Sequence, residues 1–246
     1  MEKNKVTFRK YTKHIFPYFN GNGAVFHTID ASCRNPKTAA IRHSFGNDEC
    51  LNDFVRLGGI IEANRLMKEK PKYTKNDEYM FSIMSKDTIN KDISLKELEN
   101  DSKAKTFRIN WAKSFGKKRR AAYTWTWLSN VMFSSFPTQE GQHSMVKIDY
   151  PTKQLVFKIH FPEMYPLKGN PHVIKINKAG KETKIADTVE RDPIKNLMMA
   201  NIKDKIVDRS FLSRINNPVL GYKYKVVWDI DLEKLTKYLG WMESRM

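Results

Sequence analysis

The sequence predicts an α+β fold: a helical middle segment, then a strand-rich, antiparallel half that closes on a C-terminal helix. Three observations predict it. Apolar residues from Ser102 to about Ser135 recur at helical spacing. Beyond Pro137 the pattern breaks into short alternating runs. No regular strand–helix repeat runs along the chain, which sets the βαβ class aside.

The first 46 residues read as strands and loops. Val6–Phe8 and Ala24–Ile29 are β-like runs, and Asn20-Gly21-Asn22-Gly23 between them is a turn signal. Asn47 and Asp48 are plausible caps for a helical pattern that runs to Pro71, broken near Gly58-Gly59. A short helix is expected over Asn76–Met84, and Ser94-Leu95-Lys96-Glu97 matches a capping box. In the middle segment Phe107, Trp111 and Phe115 stand at i, i+4 and i+8.

Strands are expected at Met145–Asp149, Leu155–Phe161, His172–Ile176 and Glu182–Ile185, with Asn177–Gly180 as a hairpin turn. Asp192-Pro193 reads as a helix start with an apolar stripe to Val207. Tyr222–Ile230 alternates as a strand, and Asp231 caps the last helix. The composition shift divides the chain into residues 1–140, mainly helical and basic, and 141–246, α+β with antiparallel strands. The same pattern is compatible with one continuous domain.

The 246 residues are 40% apolar and 12% aromatic, enough for a packed core. No run of about 18 apolar residues offers a membrane-spanning helix. The charged start, Met1–Val6, has no apolar run after it, so an intracellular protein, cytoplasmic or nuclear, is expected. Two cysteines, Cys33 and Cys50, are too few for a disulfide framework or a four-cysteine zinc site in one chain.

The formal net charge is +17, which favours anionic partners, nucleic acid first. Eight basic residues and no acidic one lie between Ser102 and Gln139. Lysines outnumber arginines 32 to 12, a balance that suits phosphate contact more than base readout. An AT-rich coding sequence accounts for the ratio equally well, but not for the acid-free stretch.

The expected phosphate-binding residues are Lys103, Lys113, Lys117, Lys118, Arg119 and Arg120, with Tyr123 as a base-stacking candidate. The plain structural alternative is a solvated basic face, with Tyr123, Trp125 and Trp127 in the core. Lys117–Arg120 also resembles a weak nuclear-localisation block. Two smaller clusters stand out: Arg9, Lys10 and Lys13 around Tyr11, and Lys175, Lys178, Lys181 and Lys184 on the hairpin. The hairpin lysines are more simply edge protection against aggregation.

Catalytic signatures are sparse. Phosphate-loop, dinucleotide, nucleophile-elbow and zinc-protease motifs are missing from the sequence. The six histidines have no close metal-ligand spacing; His160 and His172 could face each other across a hairpin, more simply as structural residues. Asp149 with Glu182-Thr183-Lys184 matches the Asp…Glu-x-Lys pattern of metal-dependent nucleases, a short pattern common by chance. Arg42-His43 near Cys50 has nothing beyond proximity to support a cysteine–histidine pair.

The expected function is therefore nucleic-acid binding, RNA or DNA, mainly by phosphate-backbone contacts, as in a nucleoprotein or replication accessory. The first alternative is an assembly factor that docks an acidic partner or surface on the Tyr222–Trp228 strand. The second is the metal-dependent nuclease. An enzyme is the lesser expectation, and no cofactor or resident metal is implied.

Overall fold

Strands dominate the computed structural model, which describes residues 6–17, 23–33, 40–45, 84–85, 93–100, 105–111, 120–129, 141–161, 165–191 and 209–243. In chain order they are β1 (Val6–Pro17), β2 (Gly23–Cys33), β3 (Ala40–Phe45), β4 (Met84–Ser85), β5 (Ile93–Asn100), β6 (Lys105–Trp111) and β7 (Arg120–Ser129). There follow β8 (Gln142–Lys147), β9 (Gln154–Phe161), β10 (Leu167–Ile176), β11 (Glu182–Asp187), β12 (Val189–Arg191), β13 (Arg209–Asn216) and β14 (Lys223–Ile230). One helix, α1 (Leu232–Glu243), completes the described elements. Among the described residues no helix is long and apolar enough to cross a membrane.

The strands form three sheets. The large one has the order β12-β13-β9-β1-β2-β7-β4, the second β11-β10-β14-β8, and the third β3-β6-β5. All pairings are antiparallel except β1 with β9.

The expected helical middle segment is overturned: Lys105–Trp111 and Arg120–Ser129 are strands. The reason is a shared period. Residues four apart lie on one face of a strand as well as of a helix, so Phe107 and Trp111 fit both. Ile109 between them, and Tyr123, Trp125 and Trp127 further on, carry the two-residue period that decides for strand. The capping-box match at Ser94–Glu97 likewise lies inside β5. The helices expected over 47–71 and 192–207 lie outside the described residues, as does that over 76–84 except Met84, which opens β4. The α+β reading with a helical middle thus gives way to a strand-dominated one.

In the last third, alternation and structure coincide. Tyr224, Val226, Trp228 and Ile230 of β14 are buried. The Asn177–Gly180 turn closes the β10–β11 hairpin. Asn177 Oδ1 accepts from the amides of Ala179 and Lys181, both at 2.9 Å, and Gly180 takes φ +83°. Asp231 caps α1: its carboxylate accepts the Lys234 amide at 3.1 Å, and that hydrogen bond holds its pKa below the usual range.

The core lies between the large sheet and the second one. Ile15, Ile29, Phe157, Ile159 and Phe211 meet Val146, Val173, Tyr224, Val226 and Trp228 there. Phe161 is an aromatic hub, with edge-on contacts to Phe211 (ring centroids 5.7 Å) and Trp228 (5.8 Å) and a tilted one to Tyr165 (4.7 Å). The Trp228 indole N–H donates to the Tyr165 hydroxyl at 3.1 Å, so the largest core side chain leaves no polar atom unsatisfied. Phe161→Ala should lower unfolding free energy by about 3–5 kcal/mol, read from urea denaturation. A loss under about 1 kcal/mol would remove Phe161 from that role.

One polar cluster is sealed inside this core. Lys13 is 3% exposed and donates from Nζ to the Met145 carbonyl at 2.6 Å. Tyr11 Oη and His27 Nδ1 are 2.7 Å apart beside it. Burial lowers the Lys13 pKa to about 7, so folding favours its neutral amine. Between about pH 7 and the unfolded value near ~10.4, the unfolded chain binds the extra proton. Lys13 therefore makes stability rise with pH from 7 to 9. Lys13→Met should flatten that part of the profile in urea titrations at the two pH values; an unchanged slope would show the amine to be charged in the fold.

Candidate anion-binding cleft

The cleft begins with a β-bulge. In the β1–β2 ladder Phe8 pairs with Ala31 and Lys10 with Asp30, so Arg9 is the extra residue. A regular strand would turn Tyr11 to the side opposite Phe8. The bulge resets the alternation, so both aromatics stay buried while Arg9 and Lys10 both reach solvent. The turn before β9 is pinned to the same place. Phe8 N–H donates to Pro151 O (2.8 Å), Lys153 N–H to Phe8 O (2.9 Å) and Asn217 N–H to Lys153 O (2.7 Å). Asn217 makes its bend with φ 49°, a conformation asparagine tolerates.

Register then aligns, in rows, the face of the large sheet turned away from the second sheet, on which Thr12, Val156, His160 and Ser210 are themselves buried. Lys10 lies opposite Asp30 and, one residue before the Tyr11–Leu155 pair, beside Gln154, which pairs with Asn216. The next rows hold Thr28, Thr12, Val156 and Arg214, then His14, Lys158 and Leu212. The first row opens as a cleft of about 540 Å³ lined by Arg9, Lys10, Asp30, Lys153, Gln154, Asn216 and Asn217. Gln154 Nε2 donates to Asn216 Oδ1 at 3.1 Å. This leaves Gln154 Oε1 as an acceptor and Asn216 Nδ2 as a donor toward the cleft.

Charge on this face is one-sided. Burial, then Lys10, then Arg214 lower the Lys158 pKa, so the three cations feel one another. Among the described residues none of Arg9, Lys10, Lys153, Lys158 and Arg214 forms an ion pair. The second sheet, the small sheet of the two that enclose the core, carries three paired lysines among the described residues. There Lys147 pairs with Asp149 (3.2 Å), Lys184 with Asp187 (2.7 Å) and Lys225 with Glu182 (2.7 Å). Lys175, Lys178, Lys181 and Lys223 of the same sheet and hairpin form no ion pair among the described residues and suit edge protection.

Beyond Lys158 the face closes over neutral groups. His14 Nδ1 lies 3.3 Å from His160 Nε2, and His160 Nδ1 lies 3.0 Å from Ser210 Oγ. Phe16 stacks on the His160 ring at 4.5 Å. Burial, then Lys158 and Lys10, push the His14 pKa down to about 3. Burial, then His14 and Lys158, push that of His160 well below its ordinary value. Both rings are neutral hydrogen-bonding groups at physiological pH.

The sequence candidates fall in several places. Lys103, Lys113, Lys117, Lys118 and Arg119 lie outside the described residues. Arg120 and Tyr123 are on β7, opposite Ser32 and Ile29 of β2. Of the Arg9–Lys13 cluster, the first two basic residues enter the cleft and Lys13 turns into the core. Asp149, Glu182 and Lys184 stay in their separate ion pairs. Register puts Glu182 at the β11 edge of the small sheet and Asp149 just past β8 at the other edge. That is three strand spacings, roughly 14 Å. Among the described residues no three His, Cys, Asp or Glu side chains gather as metal ligands. His160 meets His14 in the large sheet, while His172 is on β10 of the small one. Cys33 is buried; Cys50 lies outside the described residues. Tyr224 and Trp228 are core residues, not a docking surface. Lys153, Lys158, Arg214, Asp30 and the three amides carried no sequence signal, because strand pairing alone brings them together.

No family model matches the chain, and no curated protein matches its sequence. Among solved structures the chain is similar to a protein of Parabacteroides distasonis ATCC 8503 described as a "putative protease", at 9% identity and a TM-score of 0.42. The match covers 92% of this chain and 41% of that one. A likeness at that score carries no argument about activity.

Proposed function

We propose that the chain binds nucleic acid through its phosphates, with the cleft on the large sheet as a principal contact. One observation carries the reading. Among the described residues, five cations, Arg9, Lys10, Lys153, Lys158 and Arg214, lie along this face and the turn beside it with one carboxylate, Asp30, and none of the five forms an ion pair. Cations left unpaired beside one another cost stability through mutual repulsion, and an anionic ligand relieves that cost. The net charge of +17 supplies long-range attraction for the same partner. In this reading the basic run Lys103–Arg120 adds further phosphate contacts.

Binding of this kind releases counterions, so affinity falls with salt by about 0.7 log units per phosphate and per decade of salt for a single strand. The Lys10→Gln/Arg214→Gln double variant should reduce that slope by about 1.4 in anisotropy titrations with a labelled single-stranded oligonucleotide. Lys147→Gln/Lys184→Gln, which alters lysines already paired with acids, should leave the slope as it was. Equal slopes for all three proteins would refute the cleft as the contact.

A further inference from the structure

The cleft has the size of one nucleotide site. Its volume of about 540 Å³ falls within the ~300–1,000 Å³ usual for small-ligand sites. A duplex keeps its end nucleotides paired and stacked, whereas the end nucleotide of an unpaired strand is free to enter a cleft of this volume. Among the described residues its lining carries three cations, Arg9, Lys10 and Lys153, and one carboxylate, Asp30. An internal phosphodiester brings a single negative charge. A terminal phosphomonoester brings about 1.5–2 at neutral pH, close to the surplus of cations over acid.

The surroundings continue in one direction. Arg214 and Lys158 lie two and four residues along the strands from the Lys10 row, on the same face. At about 3.3 Å per residue they extend the cationic track by roughly 7 and 13 Å. A free mononucleotide would fill the cleft and leave that track unused.

Resting on the nucleic-acid reading, we propose that the cleft takes the phosphate-bearing end of an unpaired strand, while Arg214 and Lys158 follow its next phosphodiesters. Arg9 has the planar fork suited to a monoester, which offers more free oxygens than a diester. Asn216 can donate to the same group.

The test uses the full chain and four probes: one oligonucleotide ending in hydroxyls, the same strand with a 5′-phosphate, the same with a 3′-phosphate, and adenosine monophosphate. One phosphorylated strand should bind roughly tenfold more tightly than the hydroxyl-ended strand, and more tightly than the mononucleotide. Arg9→Gln should weaken the phosphorylated strand several-fold more than the hydroxyl-ended strand, so that the preference between them shrinks toward one. Arg9 is exposed, and an unchanged urea midpoint verifies that the variant folds. Strands that bind alike whatever their ends overturn end recognition and leave the nucleic-acid reading standing. Mononucleotide binding as tight as that of the phosphorylated strand overturns the track. Failure of every strand to bind overturns both readings.

Discussion

Strand β1 has to satisfy neighbours on both sides and a core on one face. It pairs antiparallel with β2 along its length and parallel with β9 over Tyr11–Ile15, where the backbone is held by a strand on each side. Its inward face carries Phe8, Tyr11, Lys13 and Ile15, which perfect alternation cannot produce because Phe8 and Tyr11 are three residues apart. The bulge at Arg9 resolves the conflict. It places two basic residues side by side in water, and the Pro151–Lys153 turn is hydrogen-bonded to the same point of the strand. The cleft is thus a by-product of keeping two aromatics in the core.

Paired and unpaired charges divide the molecule's basic surface. On the small sheet, Lys147, Lys184 and Lys225 lie beside carboxylates at 2.7–3.2 Å, while Lys175, Lys178, Lys181 and Lys223 form no ion pair among the described residues. Exposed pairs of this kind contribute at most about 1 kcal/mol each, so their value there is solubility and edge protection. On the face of the large sheet turned away from the second sheet, Lys10, Lys158 and Arg214 raise one another's electrostatic energy instead.

Buried polar groups follow a consistent rule. Lys13, His14 and His160 are all pushed toward their neutral forms by loss of water, and each retains a hydrogen-bonding partner. A neutral amine or imidazole with a partner costs far less to bury than an ion. The same desolvation explains why the histidine pair, though beside Ser210, is an interior hydrogen-bonded line and not an exposed reactive group.

The sequence by itself determined the properties that need only local pattern or bulk composition. These are the charge surplus, the apolar fraction, the alternation of Tyr224, Val226 and Trp228, the Asn177–Gly180 turn and the Asp231 cap. Each rests on residues within a few positions of one another. The middle strands were legible too, in Phe107-Ile109-Trp111 and Tyr123-Trp125-Trp127, but spacing by four answers to both periods and concealed them. Only the tertiary structure decided which lysines are compensated and which converge. Arg9, Lys153 and Arg214 are brought to one sheet face by a bulge, a pinned turn and two strand registers. Pairing between distant strands depends on burying both partners at once, and no local run of residues encodes it.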